Sequence, residues 1–464
     1  MTTRLASTIR CSGCDYVADP DDRFPFRCPR AGTDKADHVL TRVLDPAAAR
    51  FPAAPVSSSG AAANPFVRYR ALMHSHHAAL ARGISDAAYL DLVASLDAAV
   101  AATDGRGFRA TPFFRSGALS DALGFSPAGG VWVKDETRNV SGSHKGRHLM
   151  GVLIHLAVLA QAGLLDPADR PDLAIASCGN AALAAAVLAR AGGWRLTVFV
   201  PPDADPAIVS RLADLRAKVV ACPRPPGVPG DPAYLRLREE LDRGAVPFTT
   251  QGNQNGLAIE GGLTLGYELV TDLATSPSAA GPGQLDHLVV QVGGGALASA
   301  CIQALREAAD LGALDRLPRV HTVQTYGAHP LEQAYERVRE LLPSTADPDP
   351  DPDAVRGAMA RAAANRAEFM RPWPEPPRSV ATGILDDETY DWRAVVEGML
   401  LTGGRPLVVA EDSLATANEL AVAVTGIPVD PTGSAGLGGL LEMRRRGEVG
   451  DDDRVAVLFT GARR

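Results

Sequence analysis

The chain has 464 residues, too many for one small core, so two or three domains are expected. Hydrophobic residues make up 46% and charged residues 22%, and a formal net charge of −8 argues against a nucleic-acid partner. No apolar run reaches the roughly 18 residues of a membrane span and no signal-peptide pattern opens the chain, so the expectation is a cytoplasmic enzyme with no membrane partner.

The first fifty residues stand apart. Cys11-Ser12-Gly13-Cys14 is followed by Cys28-Pro29, a partial zinc-ribbon spacing in which the second cysteine pair is incomplete. His38 stands at an irregular spacing. The expectation is a degenerate, metal-free knuckle, with Cys11, Cys14, Cys28 and His38 as the ligand set if zinc is held. The other cysteines, Cys178, Cys222 and Cys301, lie in or beside apolar segments and read as reduced core thiols. From Pro52 to Pro65 the chain is rich in Pro, Ala and Ser, as a linker or wrapping arm would be.

Residues 69–101 read as helical, with Leu72, Leu80, Tyr89, Leu90, Leu92, Val93 and Leu96 as the apolar positions. His74 and His77 would share a face there. No carboxylate or cysteine accompanies them at a metal-binding spacing, so His74, His76 and His77 are expected on a solvated surface.

The most informative stretch runs from Val131 to Arg147. A short apolar strand ends in the polar turn Ser141-Gly142-Ser143-His144, which delivers Lys145 to the start of a helix read at 148–159. The positive end of the helix dipole favours the neutral amine, the form that attacks an aldehyde. Strands and helices then alternate. Strands are expected at 173–176, 196–200, 219–222, 285–292, 320–324, 407–409 and 455–459. Helices are expected at 181–191, 206–217, 234–243 and 296–310. Short apolar strands separated by helices imply mostly parallel, open twisted sheets covered on both faces, and the length accommodates two. Residues 343–353, a Pro-Asp repeat, and 371–378, with four prolines, read as irregular loops, the second ordered by Trp373.

Four loops at strand ends carry the chemistry. The first holds Lys145. The second, Ser177-Cys178-Gly179-Asn180, offers backbone N–H groups to a carboxylate and an amide side chain to a ligand. The third, Gly293-Gly294-Gly295-Ala296, lets backbone amides converge on a phosphate. The strand after it ends without the acidic residue of a dinucleotide site, which favours a mononucleotide-sized phosphate. The fourth, Thr460-Gly461, ends the last strand with a hydroxyl suited to a neutral ring nitrogen. An amine for an aldehyde, N–H groups for a phosphate, and one partner each for a ring oxygen and nitrogen are what pyridoxal phosphate needs.

Lys134-Asp135-Glu136-Thr137 with Asn139, followed by Ser141-Gly142-Ser143-His144-Lys145-Gly146-Arg147, resembles the lysine motif of the fold type II (tryptophan synthase β-subunit-like) pyridoxal enzymes, in their threonine synthase and threonine dehydratase branch. Ala110-Thr111-Pro112-Phe113, Ser177-Cys178-Gly179-Asn180-Ala181-Ala182, the segment from Glu260 to Glu268, Val292-Gly293-Gly294-Gly295 and Phe459-Thr460-Gly461 resemble the family's other motifs in order. The resemblance implies a large domain from residues 51–151 and 258–464, interrupted by a smaller α/β domain, 152–257, and preceded by the 1–50 knuckle. It further implies that Lys145 carries the cofactor as a Schiff base and shuttles the substrate α-proton. Asn180 would meet the ring oxygen, residues 293–296 the phosphate, and Thr460 the pyridine nitrogen. Ser177, Cys178 and Gly179 would take the substrate carboxylate, with His144 beside the leaving group or packed in place of the family's Phe.

The expected activity is a lyase acting on the β-carbon of a small hydroxy amino acid, releasing a 2-oxoacid and ammonia, in a homodimer. The alternatives are a threonine synthase-like replacement enzyme and, in another class, a nucleotide-binding Rossmann protein without pyridoxal. A phosphorylated substrate would need another anion site, for which Arg115, Arg138 and Arg147 are candidates.

Overall fold

The computed structural model describes residues 5–53, 63–166, 168–224, 230–275, 283–343 and 350–464. Most of the Pro/Ala/Ser stretch (54–62) and of the Pro-Asp loop (344–349) lies outside the described residues. In chain order the strands are β1 (Ser7–Cys11), β2 (Leu40–Leu44), β3 (Phe113–Ser116), β4 (Gly130–Asp135), β5 (Leu173–Ala176), β6 (Leu196–Val200), β7 (Lys218–Ala221), β8 (Val246–Pro247), β9 (His287–Gln291), β10 (Arg319–Thr325), β11 (Pro406–Val409) and β12 (Arg454–Phe459).

Two compact units divide the chain. The first comprises Met1–Pro29, His38–Ala110 and Asn139–Thr264. It holds the antiparallel pair β1–β2 and a four-stranded, all-parallel sheet in the order β7-β6-β5-β8. The second comprises Arg30–Asp37, Thr111–Arg138 and Leu265–Arg464. Its sheet runs β11-β10-β9-β12-β4-β3, parallel throughout except where β3 joins the edge antiparallel. Every residue of β6 and of β9 is buried, as expected of mainly apolar strands covered on both faces, and the polar Thr197, His287 and Gln291 are buried with them. The expected open α/β sheets of fold type II are therefore present, one in each unit.

Four expectations need correction. Residues 69–101 do not form one helix: Gly83, at φ +78°, ends the helix His74–Ala81, and Ser85 caps a new one, Asp86–Asp104, by accepting from Ala88 N at 3.2 Å. His74, His76 and His77 are buried, not solvated. Ser7 Oγ lies 3.0 Å from His74 Nδ1 and 2.8 Å from His77 Nδ1, and His76 Nε2 meets Asp86 at 2.9 Å. Polar rings so satisfied can enter a core. Cys178 is exposed, in contrast to the buried Cys222 and Cys301. The Pro-Asp loop is also shorter than expected, because Asp351 caps a helix, Pro352–Ala364, that uses proline as its first residue. Among the described residues, no helix is long and apolar enough to cross a membrane.

Candidate active site

In the first unit the turn before Lys145 is held by local hydrogen bonds. Asn139 Oδ1 accepts from Val140 N at 2.8 Å, and Ser141 N donates to Asp104 Oδ2 at 2.9 Å. Ser141 is buried and left-handed at φ 58°, a conformation that costs a side-chain-bearing residue about 1 kcal/mol or more. Lys145 then opens the helix Lys145–Gln161 and is half-buried. The helix is pinned along its length. A Cβ on Gly261 would stand 2.1 Å from the Arg147 carbonyl, and one on Gly151 2.8 Å from Gly261 Cα. The Lys145 helix and the start of the helix Leu257–Thr275 thus cross in direct backbone contact.

The surroundings of Lys145 are polar but buried. The His144 ring meets His148 edge-on at 5.7 Å. His148, fully buried, donates from Nδ1 to the Ala258 carbonyl at 2.8 Å, and burial, then the nearby Lys145 charge, push its pKa down to about 3. It is a neutral imidazole one turn along from the lysine. The Ser143 hydroxyl is buried without a hydrogen-bond partner among the described residues, two positions before Lys145.

The second loop lies in the same unit. Asn180 begins the helix Asn180–Ala191 straight after β5, Gly179 is its cap, and Ser177 Oγ accepts from Gly179 N at 3.4 Å. Ser177, Gly179 and Asn180 are half-buried, and a Cβ on Gly179 would meet nothing within 4 Å, so the loop faces open space. Both the Lys145 helix and the turn Val140–Gly142 pack on the Asn180 helix. Lysine and asparagine loop, far apart in sequence, are thereby brought together.

The second unit holds the other two loops, at the ends of the adjacent parallel strands β9 and β12. The glycines are required by close packing. A Cβ on Gly293 would come 2.4 Å from Asp386 Oδ2, one on Gly294 2.9 Å from the Tyr390 ring, and one on Gly295, at φ +98°, 2.9 Å from Thr389 Cγ2. The carbonyls of Gly293 and Gly294 accept from Thr389 Oγ1 (2.9 Å) and Asp391 N (3.0 Å). No acceptor among the described residues takes the N–H groups of residues 293–295. Carbonyls turned to one wall and amides left without protein acceptors, at the start of the helix Ala296–Asp310, make a cradle that suits a phosphate. Thr460 is buried beside it, its hydroxyl accepting from Gln291 Nε2 at 2.7 Å. Two carbonyls, Gly433 O (2.8 Å) and Leu458 O (3.1 Å), also take that amide, which fixes its orientation. Gln291 thus orients the Thr460 hydroxyl, a group whose chemistry suits a neutral pyridine nitrogen.

In the first unit the Lys145 amine and the Asn180 amide, and in the second the amide cradle and the Thr460 hydroxyl, are each of a chemistry that suits a group of pyridoxal phosphate. Three segments that carry the family resemblance serve structure instead. Lys134 Nζ donates to Glu268 Oε2 (2.6 Å) and Thr111 O (2.8 Å), and the Thr111 hydroxyl touches the Glu136 and Glu268 carboxylates, all buried. Gln291 and the wall from Ile384 to Asp391 were not singled out from sequence. A glutamine inside the apolar run before Gly293 was the legible clue to the first. Arg147 is fully buried and donates to Thr264 Oγ1 at 3.1 Å, and Arg115 is tied to the carbonyls of Gly129 and Ser126.

A parallel α/β architecture with these loops at its strand ends defines a fold type II pyridoxal-phosphate enzyme. Residues 106–461 match the family described as pyridoxal-phosphate dependent enzyme, and the chain belongs to that family. It is 22% identical over 356 residues to a threonine synthase of Methanocaldococcus jannaschii, covering 76% of this chain and 74% of that one. It is 29% identical over 147 residues to a cysteate synthase of Methanoculleus marisnigri, 32% of this chain and 30% of that one. Among solved structures, maize serine racemase superposes with a TM-score of 0.56 at 17% identity, over 80% of this chain and 92% of that one.

Proposed function

We propose that the chain is a cytoplasmic, homodimeric lyase that removes the β-hydroxyl of serine or threonine and releases the 2-oxoacid and ammonia. Family membership makes it a pyridoxal-phosphate enzyme, which sets aside the nucleotide-binding alternative. The observation that supports elimination over turnover of a phosphorylated substrate is the fate of two of the three candidate arginines. Arg147 is buried under Thr264 and Arg115 is held by backbone carbonyls, so neither is placed to receive a second phosphate, which leaves the exposed Arg138 as the candidate of the three.

When bound, the cofactor supplies an electron sink at the substrate α-carbon. In this reading Lys145 would hold the cofactor's aldehyde and, as a free amine, would take the substrate α-proton. The backbone of Ser177, Cys178 and Gly179 binds the substrate carboxylate. Asn180 orients the ring oxygen, residues 293–296 hold the phosphate, and Thr460 donates to a neutral ring nitrogen. A neutral partner there disfavours protonation of the ring, so elimination is favoured over transamination. Serine then gives pyruvate and ammonia: water leaves across the α–β bond, and a second water hydrolyses the released enamine.

A second reading, replacement at the β- or γ-carbon, is favoured by the curated relatives, which are threonine and cysteate synthases. Holoprotein incubated separately with L-serine, L-threonine and O-phosphohomoserine distinguishes them. Oxoacid formed without added nucleophile supports the lyase. Inorganic phosphate released together with threonine overturns it in favour of the synthase. Lys145→Ala should abolish either activity and the visible absorption of the bound cofactor.

A further inference from the structure

Cys11, Cys14, Cys28 and His38 converge in the first unit, each presenting one donor atom, all four within 4.8 Å of one another. Cys14 Sγ and Cys28 Sγ lie 3.8 Å apart, and His38 Nδ1 lies 3.5 Å from Cys11 Sγ and 3.6 Å from Cys28 Sγ. Bond lengths of about 2.3 Å to sulfur and about 2.0–2.1 Å to nitrogen, in a tetrahedron, place sulfur pairs about 3.8 Å apart and sulfur–nitrogen pairs about 3.6 Å apart. We infer that these four residues form a closed structural site for a divalent zinc ion, with a Cys3His donor set.

The local fold explains how so irregular a spacing closes. Cys11 ends β1 and pairs with Leu40 on β2, two residues beyond His38, so strand pairing carries the histidine to the first cysteine. Ser12 N donates to Val39 O at 2.8 Å and Cys11 N to Tyr16 O at 2.9 Å, which folds the Cys11–Cys14 turn back on itself. Gly13 N donates to Cys11 Sγ at 3.4 Å, a hydrogen bond that stabilises a thiolate ligand. Cys11, Cys28 and His38 are buried and Cys14 is partly covered. Four protein donors fill the tetrahedron, so the metal has no open position and a structural role.

The knuckle is joined to the elements that position Lys145. Gly256 N, just before the helix Leu257–Thr275, donates to Phe26 O at 2.9 Å. His155, on the Lys145 helix, donates from Nε2 to Arg23 O at 3.1 Å, and its ring meets Phe26 edge-on at 5.8 Å. Both Arg23 and Phe26 lie in the loop that the metal would close between Cys14 and Cys28. Removing the ion should therefore loosen the support of the Lys145 helix as well as the knuckle.

The test uses the full-length protein expressed with zinc in the medium. Metal analysis should give about one zinc per chain, and titration of the thiols with an organomercurial should release it. Cobalt(II) exchanged into the site should show the intense visible bands of a tetrahedral site together with near-ultraviolet thiolate-to-cobalt charge transfer. His38→Cys should retain the metal, and Cys14→Ser with Cys28→Ser should lose it. Protein carrying about a tenth of an equivalent or less, or cobalt without thiolate charge transfer, overturns the assignment. These readouts do not depend on which amino acid the enzyme turns over.

Discussion

The side-chain amide of Gln291 donates to the Thr460 hydroxyl at 2.7 Å across the adjacent ends of β9 and β12, while holding the carbonyls of Gly433 and Leu458. One nitrogen therefore sets the direction of the hydroxyl assigned to the cofactor ring and fastens two backbone segments. Gln291→Leu removes the donor from all three acceptors, and leaving a buried acceptor unsatisfied costs roughly 1–3 kcal/mol. We expect lower stability in urea and, separately, an altered visible spectrum of the bound cofactor with kcat reduced about tenfold, the equivalent of about 1.4 kcal/mol. If stability falls while spectrum and kcat are unchanged, Gln291 is a fastener only.

A second prediction concerns the buried ion pair of the second unit. Lys134 is fully buried and Glu268 is 2% exposed, with Nζ and Oε2 at 2.6 Å. Removing one partner strands a charge, at a cost of about 3–5 kcal/mol. Lys134→Met should destabilise by that order in urea denaturation, and adding Glu268→Gln should recover part of the loss. The exposed pair Arg236–Glu239 provides the contrast, because its disruption should change stability by about 1 kcal/mol at most. Equal effects at the two pairs would refute the ranking.

How much of this was legible in the sequence differs by element. Strands 173–176 and 196–200 and the helix 296–310 coincide with the observed β5, β6 and Ala296–Asp310, because apolar runs bounded by helix starts specify buried parallel strands. The pair β1–β2 was missed. Its strands are short and lie 28 residues apart, joined by irregular chain, so only tertiary pairing reveals them. The histidine helix misled for another reason. His74 and His77 look solvent-facing by composition, yet Ser7, from β1, satisfies both rings in the interior. Lys145, Asn180, the glycines and Thr460 were singled out by motif, whereas Gln291 acts through a contact that spacing does not encode.

Those buried histidines make stability acid-sensitive. Burial holds His74 down to about 3 and His77 and His155 to about 4, with neighbouring histidine charge adding to the effect at His74. An unfolded histidine titrates near 6.5, so between that pH and 4 the unfolded chain binds protons that the folded chain does not. Stability is then complete above about pH 6.5 and declines on acidification, by up to about 1.4 kcal/mol per pH unit for each histidine. Urea midpoints measured from pH 7.5 to 4.5 should fall in that window. His77→Phe should flatten the slope by about one proton, and a flat wild-type profile would contradict the burial argument.

The loop assigned to the substrate carboxylate can be reached chemically. Cys178 is exposed, while Cys222 and Cys301 are buried, and it sits between Ser177 and Gly179 where the helix Asn180–Ala191 begins. A helix N-terminus favours the thiolate, and exposure admits a reagent, so Cys178 should be the fastest thiol to react with iodoacetamide. The carbamidomethyl adduct would project from the same backbone that is proposed to bind the substrate. We therefore expect alkylation to inactivate the enzyme in step with modification of Cys178, saturating L-serine to slow it, and Cys178→Ser to remain active and resist the reagent. Peptide mapping of the modified protein supplies the check. Full modification of Cys178 with undiminished turnover would show that residues 177–179 do not hold the substrate.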